Sequence, residues 1–294
     1  WILSSSAKNF KRFLAPRVNE WVSELKDAEQ ERETILKDVS RQMFADFSES
    51  HQMWNRAVSC IAELDCLISL AIVSLDQRPS AKPIFVDSKS SKLDLREAVH
   101  PTISASQNIS NTSFIPNDVV IGSAENKAKF LLVSGPNMGG KSTLLRQTCV
   151  TVILAQIGCY VPAESCTLSP VDRIFTRVGA NDRIMQGQST FMVELQETGN
   201  ILKHATSRSL VILDELGRGT STFDGTAIAF SVIKYLLTKT DCMTLFSTHY
   251  HKLLDEFKED PRVAMYHMAC RVEKEAVTFL YKFTKGVCKN SYGM

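Results

Sequence analysis

Gly135-Pro-Asn-Met-Gly-Gly-Lys141-Ser142 follows the apolar run Phe130-Leu131-Leu132-Val133 and precedes a periodic apolar segment that begins Thr143-Leu144-Leu145. Strand, glycine-rich turn and helix is the setting in which the spacing G-x-x-x-x-G-K-[ST] signals a phosphate-binding P-loop. Glycines let successive backbone N–H groups converge on phosphate oxygens, and the helix N-terminus behind them adds a favourable dipole. In such a loop Pro136, Asn137, Met138, Gly139, Gly140, Lys141, Ser142 and Thr143 wrap the phosphates. Lys141 reaches the β- and γ-phosphates and the Ser142 hydroxyl ligates Mg²⁺. Taken alone, the pattern also fits an ordinary glycine-rich turn with a surface lysine, so the rest of the chain has to decide.

A length of 294 residues exceeds one small core and predicts two domains. With 44% hydrophobic and 22% charged residues, the composition is that of an ordinary globular chain. A net charge of +2 is too small to argue for nucleic acid by itself. The eight cysteines form no C-x-x-C pair and mostly lie in apolar runs, so they read as buried thiols in a reducing compartment. No uninterrupted apolar run is long enough to span a bilayer and no signal peptide is seen, which predicts no membrane partner. The chain opens on Trp1 without an initiator methionine and reads as a piece of something longer.

Glycine and proline divide the sequence. All 13 glycines lie after Ile121, and neither residue occurs between Pro16 and Pro79. Within that gap Leu14, Val18, Trp21, Leu25 and Ala28, then Ile35, Val39, Met43 and Phe47, recur at three- and four-residue steps. This predicts a long amphipathic helix, with a second over 52–75. Either a lever or a plain helical hairpin would show this pattern. Pro, Ser and Lys over 77–92 read as a connector. Short strands at 93–100 and 118–122 then lead to the P-loop strand. Helices are expected at about 141–157, 190–207, 223–238 and 250–257, and strands at 172–178, 209–214 and 243–248. Alternation around a P-loop implies a mostly parallel sheet with helices on both faces. Val263–Val272 and Val277–Phe283 read instead as an antiparallel hairpin.

Ser209-Leu-Val-Ile-Leu-Asp214-Glu215 is an apolar strand ending in two carboxylates. Beside a P-loop, Asp214 would hold Mg²⁺ and Glu215 would polarise the attacking water. Gly187-Gln-Ser189-Thr precedes a helix, where Ser189 either caps the helix or binds a phosphate. Leu245-Phe-Ser-Thr-His249 ends another strand and would bring an imidazole near the γ-phosphate. His249 and His251 form an H-x-H pair without a third metal ligand nearby in sequence.

Together these stretches resemble the ATPase end of the MutS family of DNA mismatch-repair proteins. The resemblance rests on GPNMGGKST at 135–143, YVPAE at 160–164, FTRVGA at 175–180, STFMVEL at 189–195, DELGRGTSTFDG at 214–225, STHY at 247–250 and SYG at 291–293. FIPND at 114–118 and TFLYKFTKGVC at 278–288 are most similar to the larger subunit of the eukaryotic MutS-alpha heterodimer. The resemblance covers the whole chain, more weakly before residue 93.

It implies an α/β fold, a P-loop NTPase of ABC type with a mostly parallel sheet, behind a helical lever or core segment. The expected division is 1–80 for the helical segment, 81–92 for the connector and 93–294 for the ATPase domain. It implies that Phe114 stacks on adenine, that residues 136–143 hold the phosphates of ATP or ADP, and that Ser142 and Asp214 hold Mg²⁺. Glu215 and His249 take the Walker B and switch roles. Ser189 contacts the γ-phosphate of the nucleotide in a partner subunit, so catalysis is composite across a MutS-homologue heterodimer. Gln188 departs from the Arg or Glu common among relatives, which puts the detail of that contact in doubt. Mismatched double-stranded DNA would be read by domains upstream of this segment, in the nucleus, and a helix-turn-helix region would follow it. An SMC-like or ABC-transporter ATPase is opposed by the absence of a Leu-Ser-Gly-Gly signature. A nucleotide-dependent dimerisation module without turnover is opposed by the intact acidic pair.

Overall fold

A computed structural model of the chain describes residues 2–76, 79–87, 90–104, 114–179, 190–273 and 276–288, and they fall into two units that meet at Ile68 and Ser69. The first unit opens with an antiparallel pair, β1 (Ile2–Ala7) and β2 (Phe10–Leu14), with Ile2 opposite Leu14. The sequence reading has no strand here. The turn between them contains no glycine, and a register shift after Leu3 blurs the alternation that marks a strand.

Helix α1 (Pro16–Glu49) starts on a proline, whose fixed φ and missing N–H suit the first turn. Helix α2 (His51–Asp76) follows after the single residue Ser50. Phe47 and Trp54 stack across that break, ring centroids 5.5 Å apart. Both helices match the expected spans, but the plain hairpin is not seen. The apolar seam stays open to solvent, with Leu25 58%, Val39 58% and Phe47 61% exposed. Cys60 and Cys66 are exposed with it, a correction to the reading of all the cysteines as buried.

Helix α2 also qualifies by length and composition as a membrane span, with a mean hydropathy of 2.0, although no uninterrupted apolar run was found there. Glu63 and Asp65 fall inside every such window of the helix, and an acidic residue at a bilayer centre costs about 2.5–3.5 kcal/mol. One such helix is weak ground for a span.

The second unit contains, in chain order, β3 (Ile84–Phe85), β4 (Leu93–Ala98), β5 (Asn117–Ile121), β6 (Phe130–Ser134), α3 (Lys141–Gln156), β7 (Ser165–Leu168), β8 (Ile174–Arg177), α4 (Thr190–His204) and β9 (Leu210–Asp214). Then come α5 (Thr222–Tyr235), β10 (Met243–Ser247), α6 (His251–Phe257), β11 (Val263–Glu273) and β12 (Ala276–Lys285). Residues 236–240 widen the end of α5 into a π-helical turn.

Six strands form the main sheet in the order β12-β11-β6-β10-β9-β8, parallel from β11 to β8 with antiparallel β12 at the edge. Strands β6 and β10 are buried along their whole length, as the continuous apolar runs of central parallel strands must be. Side chains alternate between two cores. Leu131, Val133, Ile212 and Leu245 face α3, while Phe130, Leu132, Val211 and Phe246 face α5 and α6.

The two strands expected ahead of the P-loop strand are present as β4 and β5, and they belong to a second sheet, β3-β7-β4-β5, in which β4 is antiparallel to both neighbours. The reason is visible in β4, where buried Leu93 and Leu95 alternate with the more exposed Asp94 and Arg96. One wet face is the mark of an antiparallel strand. Strand β7 was not expected.

Register sets up the site. Ser247 of β10 lies opposite both Val133 of β6 and Asp214 of β9, so three neighbouring strands end at one level on the C-terminal edge of the sheet. Ligands gather at such edges in α/β sheets.

Candidate functional site

Loop 135–140 leaves β6 and turns into α3 through Gly140, whose φ of 96° is the left-handed conformation a glycine adopts without strain. Lys141, the first residue of α3, is only 5% exposed. Its ammonium turns back to donate to the carbonyls of Gly135 at 2.8 Å and Pro136 at 3.2 Å, and lies 3.6 Å from Glu215 Oε1. Burial depresses its pKa, with Glu215 and Asp214 opposing that shift.

On the next-but-one strand, the Asp214 carboxylate accepts from the Ser247 hydroxyl. Glu215 has a φ of 51°, in the left-handed region. A non-glycine residue there costs roughly 1–3 kcal/mol and persists only where its surroundings hold it. Its N–H donates to both the carbonyl and the hydroxyl of Ser247, each at 3.2 Å. Its carboxylate is shared between Lys141 and Arg218, the latter 3.1 Å from Oε2.

These groups open onto one cleft of about 1220 Å³, whose walls include Phe114, Pro136, Asn137, Met138, Gly140, Lys141, Ser142, Thr143, Asp214 and Glu215. That exceeds the roughly 300–1,000 Å³ of a drug-sized pocket. Gly139 is buried beside the wall, its N–H donating to Pro136 O at 3.2 Å. His249 stands at the exposed end of β10 with its ring 4.1 Å from that of Tyr250, also outside the wall. The protein packed on its inner side depresses its pKa; Glu215 opposes the shift, while Lys141 and Arg218 add to it. The candidates Ser189 and Gln188, and the SYG at 291–293, lie outside the described residues. Among the described residues no group of three His, Cys, Asp or Glu could hold a metal, which leaves His249 and His251 without a third ligand.

Sequence reasoning missed several members of the site. Tyr281 and Phe279 of β12, Arg177 at the end of β8, Glu194 of α4 and Arg218 all line the cleft. Tyr281 is carried there by an irregularity of the β11–β12 pairing and has a φ of 50°. Buried Asn117 of β5 fixes that bend by donating to Tyr281 O at 2.9 Å and accepting from Phe283 N at 2.6 Å. Arg177 is held by Glu197 at 3.2 Å and donates to Gly179 O. No local pattern announces Tyr281, because a strand irregularity has no sequence signature of its own. Glu194 stood inside a quoted motif, but only the fold shows what it touches.

Residues 131–294 match the model of MutS domain V. The chain is 50% identical over 306 aligned residues to the DNA mismatch repair protein Msh6 of Gallus gallus, an alignment that takes in 99% of this chain and 23% of that protein. It is 48% identical to Msh6 of Homo sapiens, with 99% and 22% covered. With the DNA mismatch repair protein MutS of Clostridioides difficile the identity is 39%, with 100% and 30% covered. The chain thus spans about a quarter of the length of these relatives. Identity to these two Msh6 sequences is higher than to this bacterial MutS, in keeping with the expected branch. Its domain V match and these identities place it with neither the SMC-like nor the transporter ATPases: the chain belongs to the MutS family of DNA mismatch-repair proteins.

Proposed function

We propose that this chain is the ATP-binding and ATP-hydrolysing part of a mismatch-repair protein, a P-loop module of ABC type behind a helical lever segment. One observation carries the reading: a single cleft holds the glycine loop, Lys141, the Asp214–Glu215 pair and the aromatic residues Phe114 and Tyr281.

The phosphates of ATP lie along residues 136–143. Lys141 exchanges its two carbonyls and Glu215 for phosphate oxygens, so nucleotide binding itself frees Glu215 from Lys141 and leaves it beside Arg218. Freed in this way, Glu215 orients the attacking water; phosphoryl transfer needs a positioned nucleophile more than covalent help. Asp214 and Ser142 offer a carboxylate and a hydroxyl on the same cleft, the hard oxygen donors that Mg²⁺ takes alongside phosphates. When bound, that ion neutralises charge developing on the transferred phosphoryl group. His249, whose pKa burial depresses, serves as a hydrogen-bonding group. Phe114 and Tyr281 give the base apolar surfaces to stack on.

Ser189 and the N–H groups at the start of α4 meet the γ-phosphate of a partner's nucleotide, completing each site across a MutS-homologue heterodimer. Nucleotide state would switch a clamp on mismatched DNA, read by other parts of a longer protein in the nucleus. The names of the relatives support the mismatch-repair setting.

The test is Mg-ATP hydrolysis per molecule as the concentration of the chain rises. Lys141→Ala should abolish nucleotide binding. Glu215→Gln should keep binding and slow turnover by roughly 100-fold, within the range for a positioned base; normal turnover in that variant sinks the assignment. A rate that climbs with concentration means that copies of this chain complete one another. A rate near the Lys141→Ala control, with nucleotide still bound, means that a different MutS-like partner is required.

A further inference from the structure

Glu215 is held from both sides, and the second hold belongs to residues without a role so far. Ahead of it, Ser247 takes its N–H. Two residues beyond it, Gly217 is held through the peptides on both its sides. Its N–H donates to the buried carboxylate of Glu194 at 3.0 Å, and its carbonyl accepts from the Tyr250 hydroxyl at 2.9 Å. Glu194 is 3% and Tyr250 5% exposed.

Gly217 is closely surrounded. Gly217 has a φ of 90°, and a Cβ on it would lie 2.7 Å from Gly225 Cα. A Cβ on Gly225 would in turn lie 2.3 Å from the Tyr250 hydroxyl. Gly217 is itself buried, so its N–H and its carbonyl must both find partners inside the protein. Both partners are buried side chains from other elements, which ties the chain just beyond Glu215 to α4 and to the residue before α6.

We propose that Glu194 and Tyr250 are positioning residues for Glu215, keeping its carboxylate on the cleft by holding the two peptides that flank Gly217. The inference rests on Glu215 being the water-orienting residue of the site. Since Glu194 belongs to the second turn of α4, a shift of that helix passes through the Gly217 peptide to Glu215.

The test combines kinetics with hydrogen exchange on the full chain, with whatever partner its turnover requires. Tyr250→Phe removes one hydroxyl, and Glu194→Gln keeps the shape while weakening the acceptor. Each should lower kcat by roughly five- to tenfold, the scale of one buried hydrogen bond, with the affinity for Mg-ATP unchanged. In single-turnover measurements neither should lower the residual rate of a Glu215→Gln background any further, because they act through that side chain. Equal losses in both backgrounds, or a matching loss of nucleotide affinity, overturn the proposal.

The second readout needs no turnover. Amide exchange across residues 211–219 should accelerate in Tyr250→Phe, at Glu215 as well as Gly217, and unchanged exchange overturns the proposal by itself. A parent chain that binds but never hydrolyses ATP, yet shows this acceleration, would refute the ATPase reading and leave the grip standing.

Discussion

Helices α1 and α2 and strands β6 and β10 all carry regularly spaced apolar side chains, yet the first pair displays them and the second hides them. Along the helices Trp21, Leu25, Leu36 and Phe47 are each more than half exposed. Along β6 and β10 every residue is buried, and two separate cores meet on opposite faces of the sheet. Periodicity reports that an apolar stripe exists. Only packing decides whether the same chain covers it. The sheet unit therefore carries its own stability, while the helices add little from their side chains here.

Thiol chemistry should separate the two regions most widely. Cys60 and Cys66 on α2 are exposed, whereas burial pushes Cys166 of β7 up to about 12. At pH 8 a maleimide should label the two helical cysteines at least about 100-fold faster than Cys166, since only thiolate reacts. Comparable rates would show that the sheet unit opens as readily as the helices.

Truncation comes next. Leu132→Ala, at a fully buried position of β6, should cost about 3 kcal/mol in urea unfolding. Leu36→Ala, at a position 52% exposed, should stay within about 0.5 kcal/mol. Equal losses would mean that the helical seam is covered in solution.

A subtler comparison lies inside the sheet unit. Gly225→Ala must push a methyl into Tyr250 and the Gly217 carbonyl, costing about 2–3 kcal/mol. Gly158→Ala, at a φ of 89° but facing open space, should cost only about 1 kcal/mol, from backbone strain. Thermal unfolding of the two variants ranks them, and a Gly158 variant as damaged as Gly225 would remove steric closeness as the cause.

The smallest effect is in pH. Burial, with Arg146 adding to it, holds His100 below the ordinary histidine value. A depressed folded pKa gives stability that is complete above the unfolded value of about 6.5 and lost as pH falls through the folded one. Acidification below pH ~6.5 should therefore lower the urea midpoint slightly, and His100→Asn should flatten that slope. A slope unchanged in the variant assigns the effect to other groups.

Much of this was legible in sequence because it is local chemistry. The glycine-rich loop announces itself through its glycines and lysine between a strand and a helix, and Asp214-Glu215 through a strand that ends in charge. Both long helices follow from a three- and four-residue rhythm without proline. Strands β1, β2 and β7 were missed because four to six residues of mixed character carry too little alternation to stand out. The sheet that β4 and β5 join was not legible either, since a strand's own residues do not name its neighbour.

By itself, then, the sequence determined the long helices, most elements of the main sheet, the glycine-rich loop, the acidic pair and the family, all of which depend on residue type at fixed short spacing. Tertiary structure alone decided that Ser247 lies level with Asp214, that Tyr281 reaches the cleft, and that Glu194 and Tyr250 hold the two peptides that flank Gly217. Such contacts join residues more than 20 positions apart, and their existence depends on strand order and register, which no local run of side chains encodes.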